Sequence, residues 1–167
     1  MKLLTVRATI EAPLNKVWNC WTEAAQVQHW NFASSDWHCP AASNDLIVGG
    51  EFHYTMAAKD NSEQFDFWGT YQAIEINKSI EIVIGDGRIM KVLFDETQEG
   101  TIVTEQFEPE NQNPIDLQQA GWQMILDNFK NYSEITSSHN EILCFATAKQ
   151  VKSTSFSLGV IVLQLMK

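Results

Sequence analysis

The sequence has few basic residues. Its 167 residues include 11 Lys and Arg against 21 Asp and Glu, which gives a formal net charge of −10 at pH 7. Proteins that bind nucleic acid or anionic membranes present clustered Lys and Arg to the phosphates. We therefore expect neither nucleic acid nor an anionic membrane surface as a partner.

The sequence also has little cysteine. Cys20, Cys39 and Cys144 are widely spaced and form no CxxC pair, so neither a disulfide framework nor a zinc site is indicated. Charged residues interrupt the short apolar runs of residues 1–12, which is unlike a secretory signal peptide. We expect a protein of the reducing cytoplasm.

The composition is that of a folded domain, with 44% hydrophobic and 19% charged residues. Leu3–Ala12 predicts a first strand, which Pro13 ends because proline cannot donate to a sheet. Two short helices are predicted next, the second capped by Thr22 and reaching Trp30. Asn31–Asp45 has no sustained period and is predicted to be a long loop.

Residues 50–107 alternate between apolar and polar positions, which is the period of a strand. Turn sequences at Gly85-Asp86-Gly87 and Glu99-Gly100 separate the runs, and Gly69 within a run indicates a bend or bulge. The pattern predicts at least five antiparallel strands after the short helices. One face is strongly aromatic and includes Phe52, Tyr54, Phe65, Phe67 and Tyr71.

A long helix is predicted after Asn113, with Pro114 in its first turn and Asp116 near the positive end of its dipole. Its apolar stripe continues to about Tyr132 and must lie on the sheet. The chain is therefore predicted to be α+β, with a curved antiparallel sheet, one long late helix and two short helices after the first strand.

The charge balance changes near Glu134. Residues 1–134 contain 8 basic and 20 acidic residues, whereas residues 135–167 contain 3 and 1. We expect one domain over 1–134 and an atypical extension over 135–167. The apolar run Leu158–Met166 is too short to span a membrane, so no stable membrane insertion is expected.

Glu105 is the most informative polar residue. Alternation places it on the same face as Val103 and Phe107, where a carboxylate needs a partner or a raised pKa. Three interpretations are open. A register shift could turn Glu105 to water, it could form a structural hydrogen bond with a Tyr or Trp, or it could be an anchor or general base on a cavity wall.

Several strings, in order, resemble the family related to the activator of Hsp90 ATPase, within the START-like helix-grip superfamily. They are APLNKVWNCWTE, the later Trp30, DWHCP, NDLIVGGEFHYTM, FDFWGTYQAI, GDGR, GTIVTEQFE and GWQMILDNF. The resemblance covers roughly residues 2–134. It implies the Bet v 1-like fold, a seven-stranded curved sheet gripping a C-terminal helix, with a cavity between them for lipids, polyketides or flavonoid-like compounds.

The resemblance and the aromatic face together predict a site for a small apolar molecule, and binding that molecule needs no cofactor. The alternative is that the aromatic residues are ordinary core. Glu105 or Tyr54 is expected to orient a polar group of that ligand, and Trp37 is a candidate lid over the cavity mouth, the alternative being simple packing of the loop. The predicted ligand-binding residues are Trp37, Phe52, Tyr54, Phe65, Phe67, Met90, Phe94, Glu105, Trp122, Ile125 and Phe129.

Neither a catalytic set nor a metal site is predicted. A Cys39-His38 nucleophile pair lacks an orienting third group, and His29 and His53 are the only further candidates to join His38 in a metal site. Two other functions stay open beside simple binding. One is an enzyme of the polyketide cyclase type that uses the same cavity, and the other is a chaperone-binding module. A second copy of the chain is also an open partner.

Overall fold

The structure, a computed structural model, describes residues 3–138. Within that range the chain forms seven strands and three helices in the order expected for an α+β domain. The strands are β1 (Leu4–Ile10), β2 (Trp37–Asn44), β3 (Glu51–Ala58), β4 (Gln64–Glu75), β5 (Ser79–Ile84), β6 (Ile89–Thr97) and β7 (Gly100–Phe107). The helices are α1 (Leu14–Thr22), α2 (Ala24–Val27) and α3 (Ile115–Ser138).

The seven strands form one curved sheet in the order β1-β7-β6-β5-β4-β3-β2, and every neighbouring pair is antiparallel. Strands β2 to β7 follow one another as a meander, and β1 pairs with the last of them. The predicted helix-grip fold is confirmed. Its sheet buries alternate side chains against α3, as the period of two requires.

The turns follow the glycine signals. Gly87 joins β5 to β6 with φ +91°, and Gly100 begins β7 with φ +128°. Both values lie in the region that only glycine adopts without strain. Gly69 has a different role, since an added Cβ would lie 2.9 Å from the Phe52 ring and 2.8 Å from the Val83 carbonyl oxygen. The register shift on β4 lies further along, between Tyr71 and Ala73.

The prediction of a long loop over Asn31–Asp45 is wrong, because Trp37–Asn44 forms β2. Pro40 suggested a loop, but β2 is an edge strand, where a missing backbone donor is tolerated. The register shifts between His38 and Ala41, next to this proline. The residues of β2 after Cys39 are mostly small and exposed, so they show no alternation of apolar and polar positions that would indicate a strand.

Two helix ends differ from their predictions. Thr22 does not cap α2; its hydroxyl donates to the Trp18 carbonyl oxygen at 2.9 Å, and Glu23 occupies the cap position. The long helix runs past Tyr132 to Ser138, so the predicted domain boundary at residue 134 falls inside α3.

The predictions for the apolar run Leu158–Met166 lie outside the described residues. Within 3–138, no helix is long and apolar enough to cross a membrane.

Candidate ligand-binding cavity

A cavity lies between the inner face of the sheet and α3. Its free volume is about 30 Å³, room for roughly two water molecules. Most of its wall is apolar and aromatic. The lining residues are Trp21, Trp30, Asn31, Phe52, Tyr54, Phe67, Tyr71, Ile82, Met90, Glu105, Trp122 and Ile125.

Five strands and two helices bring most of these side chains together. Strands β3 to β7 each contribute inward-facing positions, because alternate residues of a strand point to the same face. Trp122 and Ile125 are three residues apart on α3, which places both on the helix side that meets the sheet. Trp21, Trp30 and Asn31 come from α1 and the segment after α2 and form the rest of the wall.

Glu105 is the acidic residue of the wall. It is 2% exposed, and its neighbours in register, Val6 on β1 and Val92 on β6, are apolar. Burial raises the pKa of its carboxyl group to about 8, so the group is mostly neutral at pH 7. Among residues 3–138 the Glu105 carboxyl group makes no hydrogen bond or ion pair, so the solvent-facing and structurally bonded interpretations are both wrong.

Trp122 places a second unsatisfied polar group beside the cavity. Its Nε1 atom is buried and has no hydrogen-bond partner within the described part of the chain. The indole ring stacks on Phe107 with centroids 4.3 Å apart and meets the Phe67 ring edge-on at 6.0 Å. Trp122 and Glu105 both line the cavity.

The tyrosines of the wall are already satisfied. The Tyr54 hydroxyl donates to the Tyr71 hydroxyl, which donates to Asn44 Oδ1 at 2.7 Å. The Asn44 amide in turn donates to the Thr22 carbonyl oxygen. Burial raises the pKa of Tyr71 to about 12, so both rings remain neutral. The tyrosine hydroxyl groups are therefore paired, whereas Glu105 and the Trp122 indole N–H have no partner within residues 3–138.

Of the eleven residues predicted to bind a ligand, seven line the cavity: Phe52, Tyr54, Phe67, Met90, Glu105, Trp122 and Ile125. Trp37 lies elsewhere, packed with Ala58 and the half-buried Phe65. Phe94 packs against the Trp18 ring at 5.1 Å, and Phe129 against the Trp30 ring at 4.8 Å. These two aromatics fill the core beneath the short helices.

Five lining residues are absent from the predicted set. Tyr71 and Ile82 carried the signal in their alternation with Phe67 and Ile84 along β4 and β5. Trp21 and Trp30 belong to the two short helices predicted after the first strand, which indicated packing between those helices and no place in the cavity wall. Asn31 gives no sequence signal; its Nδ2 atom lies 3.4 Å from Met56 Sδ, and its place in the wall depends on the whole fold.

The cysteine and histidine candidates do not form a site. Burial raises the pKa of the Cys39 thiol to about 11, so at neutral pH it is a protonated thiol and a poor nucleophile. Its Sγ atom donates to the Ala41 carbonyl oxygen at 3.4 Å. Across residues 3–138, no three His, Cys, Asp or Glu side chains are grouped to hold a metal ion.

The chain is similar in sequence and structure to known proteins. The sequence model of a family described as Activator of Hsp90 ATPase homolog 1-like protein matches residues 11–134. An AHSA1-like protein from Aeromonas hydrophila is 43% identical, with 80% of this chain and 93% of that chain covered and a TM-score of 0.77. The protein Chr148 from Cytophaga hutchinsonii is 46% identical, with coverage of 85% and 99% and a TM-score of 0.70.

More distant structures share the fold alone. The protein NE0264 from Nitrosomonas europaea is 16% identical and superposes with a TM-score of 0.70, over 82% of this chain and 97% of that one. No match was found among curated proteins.

Proposed function

Because the chain belongs to the Activator of Hsp90 ATPase homolog 1-like family, whose START-like fold commonly binds ligands, we propose that it binds a small, mainly apolar molecule between the sheet and α3. The observation that carries this proposal is Glu105, a buried carboxyl group that lines the cavity and has no partner within residues 3–138. A buried polar group without a partner is unfavourable by about 1–3 kcal/mol. A ligand that pairs with it recovers that free energy.

The size of the cavity sets a condition. Pockets for drug-sized ligands measure roughly 300–1,000 Å³, whereas this one has about 30 Å³ of free space. The ligand therefore enters by displacing wall side chains. Met90 is flexible and Trp21 is only half-buried, so these two side chains are the ones we expect to move. Removal of apolar surface from water, worth roughly 25 cal/mol per Å², drives the process.

The proposal is tested by native mass spectrometry of the purified protein, with extraction of any bound molecule, and by NMR titration with cumene (isopropylbenzene). We expect cumene to shift the indole resonance of Trp122. The variant Ile125→Trp fills the cavity and should abolish the shift. The matched control is Ile115→Trp, at a position 57% exposed on the same helix, which should bind as the wild type does. A wild-type protein that carries no apolar molecule and gives no response to cumene contradicts the proposal.

Glu105 also supports a second candidate, a cyclase-type enzyme. A carboxyl group with a pKa of about 8 in a mostly apolar cavity can donate a proton and accept it back near neutral pH. Turnover of polyketide-like substrates that Glu105→Gln abolishes, with binding retained, favours this candidate. Recovery of unchanged compound favours simple binding.

A chaperone-binding module is the competing outcome. Such a module acts through its surface, so charge reversal of acidic surface residues should abolish the interaction while Phe67→Ala leaves it intact. A cavity binder shows the reverse, because Phe67 lines the cavity and the acidic side chains on the outside do not.

A further inference from the structure

We infer that the molecule bound in this cavity is a neutral compound that presents a carbonyl oxygen to Glu105, and not an organic cation. This inference rests on the proposed function, since it names the chemical class of ligand for the same site. It depends on which hydrogen-bonding groups of the wall are still unsatisfied.

Two of the unsatisfied groups are hydrogen-bond donors. The indole N–H of Trp122 can only donate, and it has no acceptor among the described residues. A neutral Glu105 carboxyl group adds a second donor, its O–H. Both residues line the cavity. A carbonyl oxygen has two lone pairs and can accept from a donor of this kind without carrying charge.

An ammonium group matches the wall less well. It has three protons to satisfy, and a mostly apolar wall does not replace the hydration that a cation loses on leaving water. Both tyrosine protons are already donated along the chain that ends at Asn44. An ion pair with a cation also requires the carboxylate form of Glu105. Ionising this buried carboxyl group costs free energy, which weakens the binding of a cation.

The state of Glu105 depends on the groups that face it. The neighbouring positions in register are Val6 on β1 and Val92 on β6, and α3 presents Trp122 and Ile125. The other titratable groups of the wall are Tyr54 and Tyr71, whose pKa values burial raises above their ordinary value. Of the residues that line the cavity, none is Lys, Arg, His or Asp. A change in carbonyl affinity between about pH 6 and pH 9 therefore reports Glu105.

The test compares three probes of similar shape by NMR titration: acetophenone, a neutral carbonyl compound; cumene, its apolar analogue; and 1-phenylethylamine, a cation. At about pH 6 we expect acetophenone to bind about 3–10-fold more tightly than cumene, the factor that one net hydrogen bond supplies. The amine should bind more weakly than either. The affinity for acetophenone should fall by a similar factor when the pH is raised to about 9, because ionised Glu105 can no longer donate.

Two substitutions at Glu105 show whether its O–H donor causes the preference for acetophenone and whether its ionisation causes the pH dependence. Glu105→Gln keeps a donor and cannot ionise, so it should retain the preference for acetophenone and lose the pH dependence. Glu105→Leu has no donor and should bind acetophenone and cumene about equally. The control Glu96→Gln, at an exposed position on β6, should keep both the preference and the pH dependence.

The outcomes are distinct. Tightest binding of the amine, or equal wild-type affinities for acetophenone and cumene, overturns the carbonyl inference and leaves the proposed function intact. Retention of the pH dependence in Glu105→Gln overturns it as well. If none of the three probes binds, the proposed function itself fails.

Discussion

At the scale of single residues, Glu105 links the stability of the fold to its function. Its carboxyl group is buried on β7, and burial alone raises its pKa to about 8 from an ordinary value of 4.5. In the unfolded chain the group ionises above about pH 4.5, whereas in the folded chain it keeps its proton up to about pH 8. The unfolded state therefore binds fewer protons between these values, and this group lowers the free energy of unfolding as the pH rises.

We expect Glu105→Gln to remove this pH-dependent loss. Between pH 5 and pH 8 the free energy of unfolding of the wild type should fall by up to a few kcal/mol relative to that of the variant. This difference should level off above about pH 8. Urea denaturation of both proteins at several pH values measures the difference. Glu96→Gln serves as the control and should follow the wild type. A constant difference between wild type and Glu105→Gln across this range would show that Glu105 does not titrate in this way.

At the scale of elements, α3 covers the free edge of β1. Gln119 Nε2 donates to the Thr5 carbonyl oxygen at 3.0 Å, and Gln123 Nε2 donates to the Arg7 carbonyl oxygen at 3.1 Å. Seven residues further along α3, the longer side chain of Lys130 donates from Nζ to the carbonyl oxygen of Thr9 at 2.5 Å. Four helix residues rise about 6 Å, close to the two-residue repeat of a strand. Helix side chains thus satisfy an edge that would otherwise be open to another strand.

The substitution Gln123→Met tests this contact. It keeps the length of the side chain but removes the bonds to Arg7, including the one that the Arg7 N–H donates to Gln123 Oε1 at 3.3 Å. We expect a loss of about 1–2 kcal/mol and faster hydrogen exchange of the Arg7 amide. Asn131→Met, at an exposed position on α3, should change neither. Unchanged exchange at Arg7 would mean that α3 does not protect this edge.

At the scale of the whole molecule, the end of α3 ties the long helix to α1. Lys16 Nζ donates to the Thr136 carbonyl oxygen at 2.7 Å, and Cys20 Sγ lies 3.8 Å from Thr136 Oγ1. Both contacts lie beyond residue 134, where the sequence indicated a domain boundary. The packed unit therefore extends at least to Thr136.

Truncation tests where the domain ends. We expect a chain ending at Ser138 to be more stable than one ending at Glu134 by about 1–3 kcal/mol, because the shorter chain loses the contacts of Thr136. Urea denaturation of both chains measures this difference. Lys16→Met should destabilise the longer chain and have little effect on the shorter one. Equal stability of the two chains would support the boundary at 134.

The sequence alone determined the fold class and much of the cavity wall. The period of two along β3 to β7 and the helix signals at Asn113 to Asp116 are local, so they could be interpreted without a structure. The same alternation placed Glu105 on the inner face. The edge strand β2 was missed because its local signals, Pro40 and small polar residues, are also those of a loop.

Only the tertiary structure decided what surrounds each of these residues. Whether Glu105 reaches water, a partner or a cavity depends on the curvature of the sheet and the position of Trp122, which are set by contacts far apart in the chain. The same holds for Trp30 and Asn31, whose place in the wall follows from how the short helices close one end of the sheet. Periodicity fixes which face a side chain points to, but the free space beyond that face results from packing among all the elements at once.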